Sequence, residues 1–347
     1  MNSRVVICGA GFLGQLLLHA RHIELTSYAG KHIAQTLASR STLTHHIQLA
    51  SRNPQKLHAL LKDTVPYPPR ILPPASIDIT DSSTLLPAFS GASLVVSLVG
   101  IMHGSPADFE RIQWKGAENV AKAAREVGAR LVHVSAIGAD RESHIPYNRT
   151  KALGEEAVRD VFKGKTEKDV VVLRPSIVFG PEDDFFDRFS KLSKFLPFLP
   201  VFGGGTSRFQ PVYVGDIARA VEIIARNDPA INAMVGGKTI ECGGPDVLTY
   251  KEIMKLVLKH NQRTRPIVSL PFWMGKLQGA VMERFPVNLF TVTRAQVEQL
   301  KSDNVVESSS STGADYIPFD TLMEKYAVPG TRSPLNSVHD ILPQYLP

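Results

Sequence analysis

Residues 4–14 read RVVICGAGFLG, and this stretch decides the fold class. The apolar run at its start is typical of a buried first strand, and the glycines after it permit a tight turn. Such a turn lets the backbone approach a pyrophosphate, whose charge then faces the N-terminus of the next helix. An ordinary glycine turn is the alternative, but the position directly after a first strand makes the motif specific. The residues that we expect at the phosphates of a dinucleotide are Gly9, Gly11, Phe12, Leu13 and Gly14.

The rest of the first half alternates between apolar strands and amphipathic helices. Strand patterns lie at residues 4–8, 46–51, 94–99, 131–135 and 170–173, and helical patterns at 109–127 and 150–162. Alternation of this kind predicts an α/β fold with a doubly wound parallel sheet of the Rossmann type. We predict a Rossmann domain over residues 1–175 and a smaller C-terminal α/β lobe over residues 176–347, interleaved with the Rossmann core.

Composition excludes several classes of protein. The 347 residues, 38.0 kDa, include 39 basic and 33 acidic side chains, so the formal charge is +6 and the pI about 9.2. This mild surplus suits a nucleotide or an anionic membrane face, whereas no basic stripe with interleaved aromatic residues points to nucleic acid.

Cys8 and Cys242 alone cannot build a disulfide framework. The histidines lack metal-ligand spacing, so we expect no metal. The first strand starts so early that we expect no cleaved presequence.

Residues 15–30 interrupt the helix that should follow the glycine turn. Residues 31–38, KHIAQTLA, have the amphipathic pattern expected directly after the glycines. Removing residues 15–30 would join this pattern to the turn and restore a conventional first helix. Two explanations stay open: a retained short intron or gene-model error, and a genuine insertion that forms a longer helix or a surface loop.

The end of the second predicted strand bears on which nucleotide binds. An NAD-specific site places an acid there to hold the ribose 2′-hydroxyl. This chain has Ser51 and Arg52 instead, and a guanidinium suits a 2′-phosphate, so we favour NADP(H) over NAD(H). The alternative for Arg52 is a solvated loop arginine. Further residues at the ends of the third and fourth strands are candidate cofactor contacts: Asp78, Ile79, Val99 and Gly100.

Tyr147 and Lys151 have the spacing Tyr-x-x-x-Lys, which puts both side chains on one face of a helix. A neighbouring lysine and a positively charged nicotinamide would lower the pKa of the phenol and let it act as a general acid or base toward a carbonyl. Ser135, at the end of the fifth strand, would polarise that carbonyl. The alternative is a helix-surface pair that only braces the ribose.

At this point the chain resembles the extended and atypical short-chain dehydrogenase/reductases. Within them it is most similar to the branch that contains the NADPH-holding Rossmann subunit of mitochondrial complex I, bacterial relatives and a dehydrogenase associated with coenzyme Q synthesis. The resemblance covers nearly the whole chain except residues 15–30. It rests on LVHVSAIGAD at 131–140, LRPSIVFGPEDD at 173–184, RFQPVYVGD at 208–216, GGPDVLT at 243–249, DNVV at 303–306 and ILPQYL at 341–346.

This resemblance implies NADP(H) as cofactor, Pro175 and Lys151 as further cofactor contacts, and the matrix face of the mitochondrial inner membrane as location. The chain departs from the family pattern in three ways, one of which is that Tyr147 and Lys151 are both present, whereas the pair is often degraded in this branch. Cys8 stands where the family usually has the first glycine of its turn. Ala136 stands at one register of the catalytic serine, which leaves Ser135 as a displaced substitute, so the presence of catalysis stays open.

Three functions follow from these observations. The first is an NADP(H)-binding protein of the quinone system that supports coenzyme Q synthesis; the second is a structural, NADPH-holding accessory subunit of complex I; the third is a soluble NADPH-dependent carbonyl reductase. The partners would be coenzyme Q synthesis proteins or complex I, with peripheral contact to the inner membrane. An apolar stripe in the second lobe suggests such contact, although stripes of this kind more often belong to a core. Its members are Phe195, Phe198, Leu199, Phe272, Trp273, Met274, Leu277, Val281 and Phe285.

Overall fold

A computed structural model describes residues 3–9, 25–39, 45–307, 315–326 and 334–346. Within these ranges the chain alternates between strands and helices, as predicted. The strands are β1 (Ser3–Cys8), β2 (His45–Ser51), β3 (Ala75–Ser76), β4 (Leu94–Ser97), β5 (Arg130–Val134), β6 (Val170–Pro175), β7 (Val178–Phe179), β8 (Leu199–Phe202), β9 (Arg208–Phe209), β10 (Val212–Tyr213), β11 (Thr239–Cys242), β12 (Leu248–Thr249), β13 (Ile267–Leu270) and β14 (Tyr316–Pro318).

Eight of these strands form one parallel sheet in the order β14-β11-β6-β5-β4-β1-β2-β3. The order from β3 to β6 is that of a doubly wound dinucleotide-binding sheet, which confirms the predicted fold class. Because strand order reverses between β1 and β4, a crevice opens at the carboxyl ends of these two strands. The two outermost strands beyond β6 come from the second half of the chain, so that half extends the Rossmann sheet as well as forming a lobe.

The helices lie on both faces of the sheet and in the lobe. They are α1 (Leu25–Ser39), α2 (Gln55–Thr64), α3 (Leu85–Phe89), α4 (Pro106–Phe109), α5 (Ala117–Glu126), α6 (Pro146–Phe162), α7 (Phe185–Phe195), α8 (Val214–Ala225), α9 (Pro229–Val235), α10 (Tyr250–His260), α11 (Phe272–Met282), α12 (Arg294–Gln299), α13 (Phe319–Lys325) and α14 (Val338–Ile341). A π-helix, Glu110–Gly116, joins α4 to α5. Among the residues described, no helix is long and apolar enough to cross a membrane.

Three apolar clusters hold these layers together. One lies under α1, α2 and α8 on one face of the sheet, and a second lies under α3, α5 and α6 on the other face. The third belongs to the lobe and joins α7 and α10 to the C-terminal residues, including Val338 and Leu346. Each large aliphatic side chain in these clusters contributes about 1.5–3 kcal/mol through burial, so the lobe depends on the C-terminal segment for its stability.

The first helix begins at Leu25, so the last six residues of the interrupting segment 15–30 are helical. Tyr28 is buried in the core, with its hydroxyl close to Gly180. Residues 15–24 of the segment lie outside the described ranges.

The apolar stripe, for which a membrane contact and a place in the core were both open, is largely exposed, so the core alternative was wrong. Only Leu199 of the nine residues is fully buried, and Phe198 and Phe272 are half-buried. The physical reason is that α11 turns its glycines, Gly275 and Gly279, toward the lobe. The exposed members are Phe195, Trp273, Met274, Leu277, Val281 and Phe285.

Candidate functional site

Gly9 begins the turn that follows β1. Its φ is +93°, a conformation that side chains rarely adopt, and its N–H donates to the carbonyl oxygen of Ala50 over 2.8 Å. A Cβ at this position would lie 3.3 Å from the backbone of Leu98. The chain therefore needs glycine here to turn tightly across the crevice between β1 and β4. The other residues predicted for the phosphates, Gly11, Phe12, Leu13 and Gly14, lie outside the described ranges.

The end of β2 presents the two residues predicted to select the nucleotide. Ser51 is buried, and its hydroxyl finds no hydrogen-bond partner among the residues described. Arg52 follows it with an exposed side chain. A buried polar atom without a partner is costly, so the Ser51 hydroxyl fits a site that a polar ligand completes.

Asp78 and Ile79 lie beside this strand end. The Asp78 carboxylate accepts from the N–H and the hydroxyl of Thr80 at 2.9 and 2.8 Å. The backbone N–H of Thr80 is the main reason that the pKa of Asp78 is lowered, and Arg52 adds a smaller electrostatic contribution. The Ile79 side chain packs against Gly116, where a Cβ would lie 2.7 Å from its terminal carbon. These contacts give this side of the crevice a fixed apolar wall with one ionised carboxylate.

Lys151 lies on α6, and its side chain extends to the carboxyl ends of β4 and β5. Its ammonium donates to the carbonyl oxygens of Val99 and Val134 at 2.9 and 3.2 Å, at the ends of β4 and β5. The side chain is buried, and this burial lowers the pKa of Lys151 to about 8, against the opposing influence of Glu155. A lysine has three N–H donors, so one remains for a ligand. A Cβ on Gly100 would lie 3.0 Å from the ammonium nitrogen, so glycine is what leaves this space open.

Tyr147 lies one helical turn before Lys151 on the same face of α6. Its half-buried ring packs edge-on against Phe109, with the ring centroids 6.3 Å apart. Burial raises the pKa of Tyr147 to about 12, so the phenol is protonated at neutral pH. The protonated phenol can donate a hydrogen bond to a ligand, or give up its proton as a general acid.

Ser135 follows β5 directly, next to the Val134 carbonyl that Lys151 contacts. Its backbone N–H donates to the carbonyl oxygen of Leu173 over 2.7 Å, while its buried hydroxyl is unpartnered within the described part of the chain. Pro175, at the end of β6, accepts from the N–H of Ile137 over 3.0 Å. The ends of β4, β5 and β6 thus bring Val99, Ser135 and Pro175 to one edge of the sheet, beside Lys151.

Gln113 belongs to this edge but was missed by the sequence reasoning. It lies on the π-helix, fully buried, and its side-chain amide donates to the hydroxyl of Thr150 over 3.1 Å. Its amide oxygen is unpartnered in the described structure and would lie 3.5 Å from a Cβ on Gly100. The available signal was a glutamine within an otherwise apolar helix face, which alone does not identify a ligand contact.

Other candidate groups carry no chemistry at this edge. Cys242 is buried, as predicted, and burial raises the pKa of its thiol well above the usual value. Within the ranges described, no group of three or more His, Cys, Asp or Glu side chains is placed to hold a metal ion.

The described residues fit a dinucleotide. A glycine turn, two buried unpartnered hydroxyls and a lysine with one free donor line the crevice where strand order reverses. When bound, a nicotinamide dinucleotide would supply hydride chemistry, while Lys151 would hold the ribose and Tyr147 would donate to a polar group beside the ring. These features define a dinucleotide-binding protein of the short-chain dehydrogenase class.

Sequence comparison identifies the family to which the chain belongs. A sequence profile of the NAD dependent epimerase/dehydratase family matches residues 25–236, and the chain belongs to that family. The match begins at the first residue of α1. The fold agrees with that of the UDP-glucuronic acid 4-epimerase from Bacillus cereus, solved with UDP-glucuronic acid and NAD. The TM-score is 0.57 at 19% identity, over 86% of this chain and 99% of that one.

Two relatives are subunits of mitochondrial respiratory complex I. The chain is 31% identical over 254 residues to the Arabidopsis thaliana protein named NADH dehydrogenase [ubiquinone] 1 alpha subcomplex subunit 9, mitochondrial. This match covers 72% of the chain and 61% of the relative. It is 25% identical to the NADH-ubiquinone oxidoreductase 40 kDa subunit of Neurospora crassa, over 69% of the chain and 60% of that protein. The chain therefore spans about three fifths of the length of these relatives.

Proposed function

We propose that this protein is an NADP(H)-holding accessory subunit of mitochondrial respiratory complex I, associated with the matrix face of the inner membrane. The observation that carries the proposal is the similarity over 254 residues to the Arabidopsis subunit. It favours complex I over coenzyme Q synthesis, which the sequence alone put first.

The geometry at the sheet edge supports holding the cofactor more than turning it over. Two of the three Lys151 donors are engaged by backbone carbonyl oxygens, so the ammonium is a fixed bridge between the helix and the sheet. A bound dinucleotide would give the hydroxyls of Ser51 and Ser135 a hydrogen-bond partner. Because it binds the folded protein, it would also raise the free energy of unfolding. The preference for NADPH rests on Arg52 and on the absence of an acid at the end of β2.

Co-migration and bound-cofactor analysis test this proposal. The chain is tagged at its own locus, mitochondria are solubilised mildly, and complexes are separated on native gels. We expect the tag to run with complex I, and the purified protein to release NADPH on denaturation while oxidising none with a panel of quinone precursors and carbonyl compounds. Migration with quinone-synthesis enzymes, or release of NADH alone, would contradict it.

The intact Tyr147–Lys151 pair supports a second candidate, reduction or modification of a quinone precursor in coenzyme Q synthesis. A structural brace has no need of the phenol, so Tyr147→Phe separates the two functions. In the second case the variant cells would accumulate quinone intermediates as deletion cells do, whereas an accessory subunit would tolerate the change. A protein that reduces small carbonyl compounds and migrates with neither complex would point to the soluble reductase instead.

A further inference from the structure

Helix α11 presents its bulky apolar side chains to solvent and its glycines to the protein. Gly275 and Gly279 are buried, and a Cβ on either would lie 2.7 Å from a neighbouring atom, of Phe202 and of Arg294 respectively. On the outer face, Trp273, Leu277 and Val281 follow one another at four-residue spacing and are 65%, 60% and 48% exposed. An ordinary surface helix has the opposite arrangement, with the bulky apolar stripe facing the core.

The segment after α11 continues the same surface. Phe285 is 60% exposed and Phe290 is 44% exposed. The segment is held in a defined conformation, because the Arg188 guanidinium donates to the carbonyl oxygens of Leu289 and Thr291. The exposed rings are therefore presented by a fixed backbone, and they do not fold back onto the lobe. We call residues 272–290 the α11 face.

Basic side chains outnumber acidic ones around the α11 face. Residues 184–198 and 272–301 carry seven basic and four acidic side chains, so this part of the lobe holds three of the six net positive charges of the chain. Three of the acids are in ion pairs: Asp187 with Lys191, Glu283 with Arg294, and Glu298 with Lys276 and Lys301. The fourth, Asp184, acts electrostatically on Arg188. The surplus is cationic and includes Lys194 and Arg284, both exposed.

We propose that the α11 face docks on the surface of an anionic lipid bilayer. The large aromatic side chains would enter the interface between headgroups and acyl chains, and the surplus cations would contact lipid phosphates. Tryptophan together with basic residues is characteristic of such interfaces, and contiguous exposed apolar surface of this kind marks an interaction site. A second protein or a second copy of the chain would account for the exposed apolar residues but not for the excess positive charge. Anionic lipid accounts for both. The inference rests on the proposed association with the inner membrane and deepens it by naming the surface that makes the contact. Vesicle binding depends neither on complex I nor on the identity of the cofactor, so the two proposals can fail separately.

Vesicle flotation with the full chain tests the proposal. Vesicles of phosphatidylcholine alone are compared with vesicles of phosphatidylcholine and phosphatidylglycerol. We expect binding to the anionic vesicles that weakens with added salt. The double variant Trp273→Ser/Leu277→Ser should weaken the partition by at least about tenfold, since two large side chains lose their burial in the interface. Arg284→Ala should give a smaller loss that disappears at high salt.

A matched control and a spectroscopic measurement make the test specific. Val247→Ser removes an apolar side chain that is also 49% exposed but lies elsewhere on the lobe, and it should leave binding unchanged. The chain has two tryptophans, so Trp114→Phe leaves Trp273 as the reporter, whose fluorescence should shift to shorter wavelength on anionic vesicles. Three results would overturn the proposal: no binding to either vesicle, binding that the double variant leaves intact, or a dimer in solution that the double variant dissociates.

Discussion

The ammonium of Lys151 donates to the carbonyl oxygen of Val99 over 2.9 Å, and this bond ties helix α6 to the end of strand β4. The contact places a buried cation at the point where the order of strands reverses. The ammonium loses its proton only slightly above neutral pH, because burial lowers the pKa of Lys151 to about 8.

The affinity for the dinucleotide should therefore fall as pH rises through about 8. A charged donor to the ribose is worth about 1.5–3 kcal/mol, so we expect roughly tenfold or more weaker NADPH binding once the lysine is neutral. Titration of NADPH fluorescence between neutral and alkaline pH checks this. Lys151→Arg, which stays charged, should flatten the profile even if it binds more weakly. A wild-type profile without a pH dependence would contradict the assignment.

Arg52 should determine the preference for the 2′-phosphate. Arg52→Asp is expected to weaken NADPH binding by about tenfold or more, because it removes a charge-assisted contact and adds a like charge, while NADH binding stays the same or improves. The side chain is exposed, so the fold should tolerate the change. Calorimetric titration with each cofactor measures the ratio, and Arg263→Asp in the lobe serves as control. Equal losses for both cofactors would show that Arg52 does not read the phosphate.

Glu155 should be needed for stability and its neighbour Glu156 should not. Glu155 is buried and accepts from the Arg174 guanidinium at 2.9 and 2.7 Å, whereas exposed Glu156 lies 3.4 Å from Arg141. Glu155→Gln leaves the half-buried Arg174 with Glu241, 3.6 Å away, as its remaining ion-pair partner. Because the variant removes the charge from two short hydrogen bonds, we expect a loss of about 1.5–3 kcal/mol in the free energy of unfolding. Glu156→Gln should cost less than about 1 kcal/mol. Urea unfolding of both variants tests the contrast, and similar losses would refute it.

Asp183 should make stability depend on pH. The buried carboxylate accepts from the hydroxyl of Tyr345 and from the N–H groups of Gly180 and Phe186. Burial nevertheless raises the pKa of Asp183 to about 6, above the value of 3.8 expected for a free side chain. The protonated acid is therefore favoured by folding, and its contribution is fully present below pH 3.8 and lost as pH rises through about 6.

Unfolding of the wild type and of Asp183→Asn at a series of pH values measures this contribution. The difference between the two proteins should change by up to about 3 kcal/mol across the window, because one pKa unit corresponds to about 1.4 kcal/mol. Asp160→Asn, an exposed change on α6, should show no such trend. A difference that is constant between pH 4 and 7 would mean that Asp183 has an ordinary pKa.

The sequence predicted the fold well wherever the signal was local. The strand that ends at Cys8, the Gly9 turn and the helix that carries Tyr147 and Lys151 each follow from periodicity and neighbouring residues. β14 was missed, because three residues are too few for a pattern and the strand exists only through its pairing with β11. The π-helix around Gln113 was missed because such turns occur as short insertions within α-helices, and residues 109–127 were predicted as one continuous helical pattern.

For the candidate site, the sequence indicated residue types but not their surroundings. It did not show that Lys151 would be buried beneath two carbonyl groups, or that the Ser135 hydroxyl would lack a partner. The exposure of α11 was also unexpected, although Gly275 and Gly279 at four-residue spacing were a visible sign of a close helix contact on that side. Transcript sequencing tests the segment 15–30, because it shows whether those sixteen residues are present in every message.

The placement of Val338 and Leu346 in the lobe core has a consequence for synthesis. The strands up to β6 precede the lobe in the chain, but α7 and α10 have no complete cover until residues 338–346 are available. Until those residues have been synthesised, the apolar side chains of the lobe stay open to solvent or to a chaperone. A stop codon before residue 338 would leave the first half of the protein folded and the lobe without its cover.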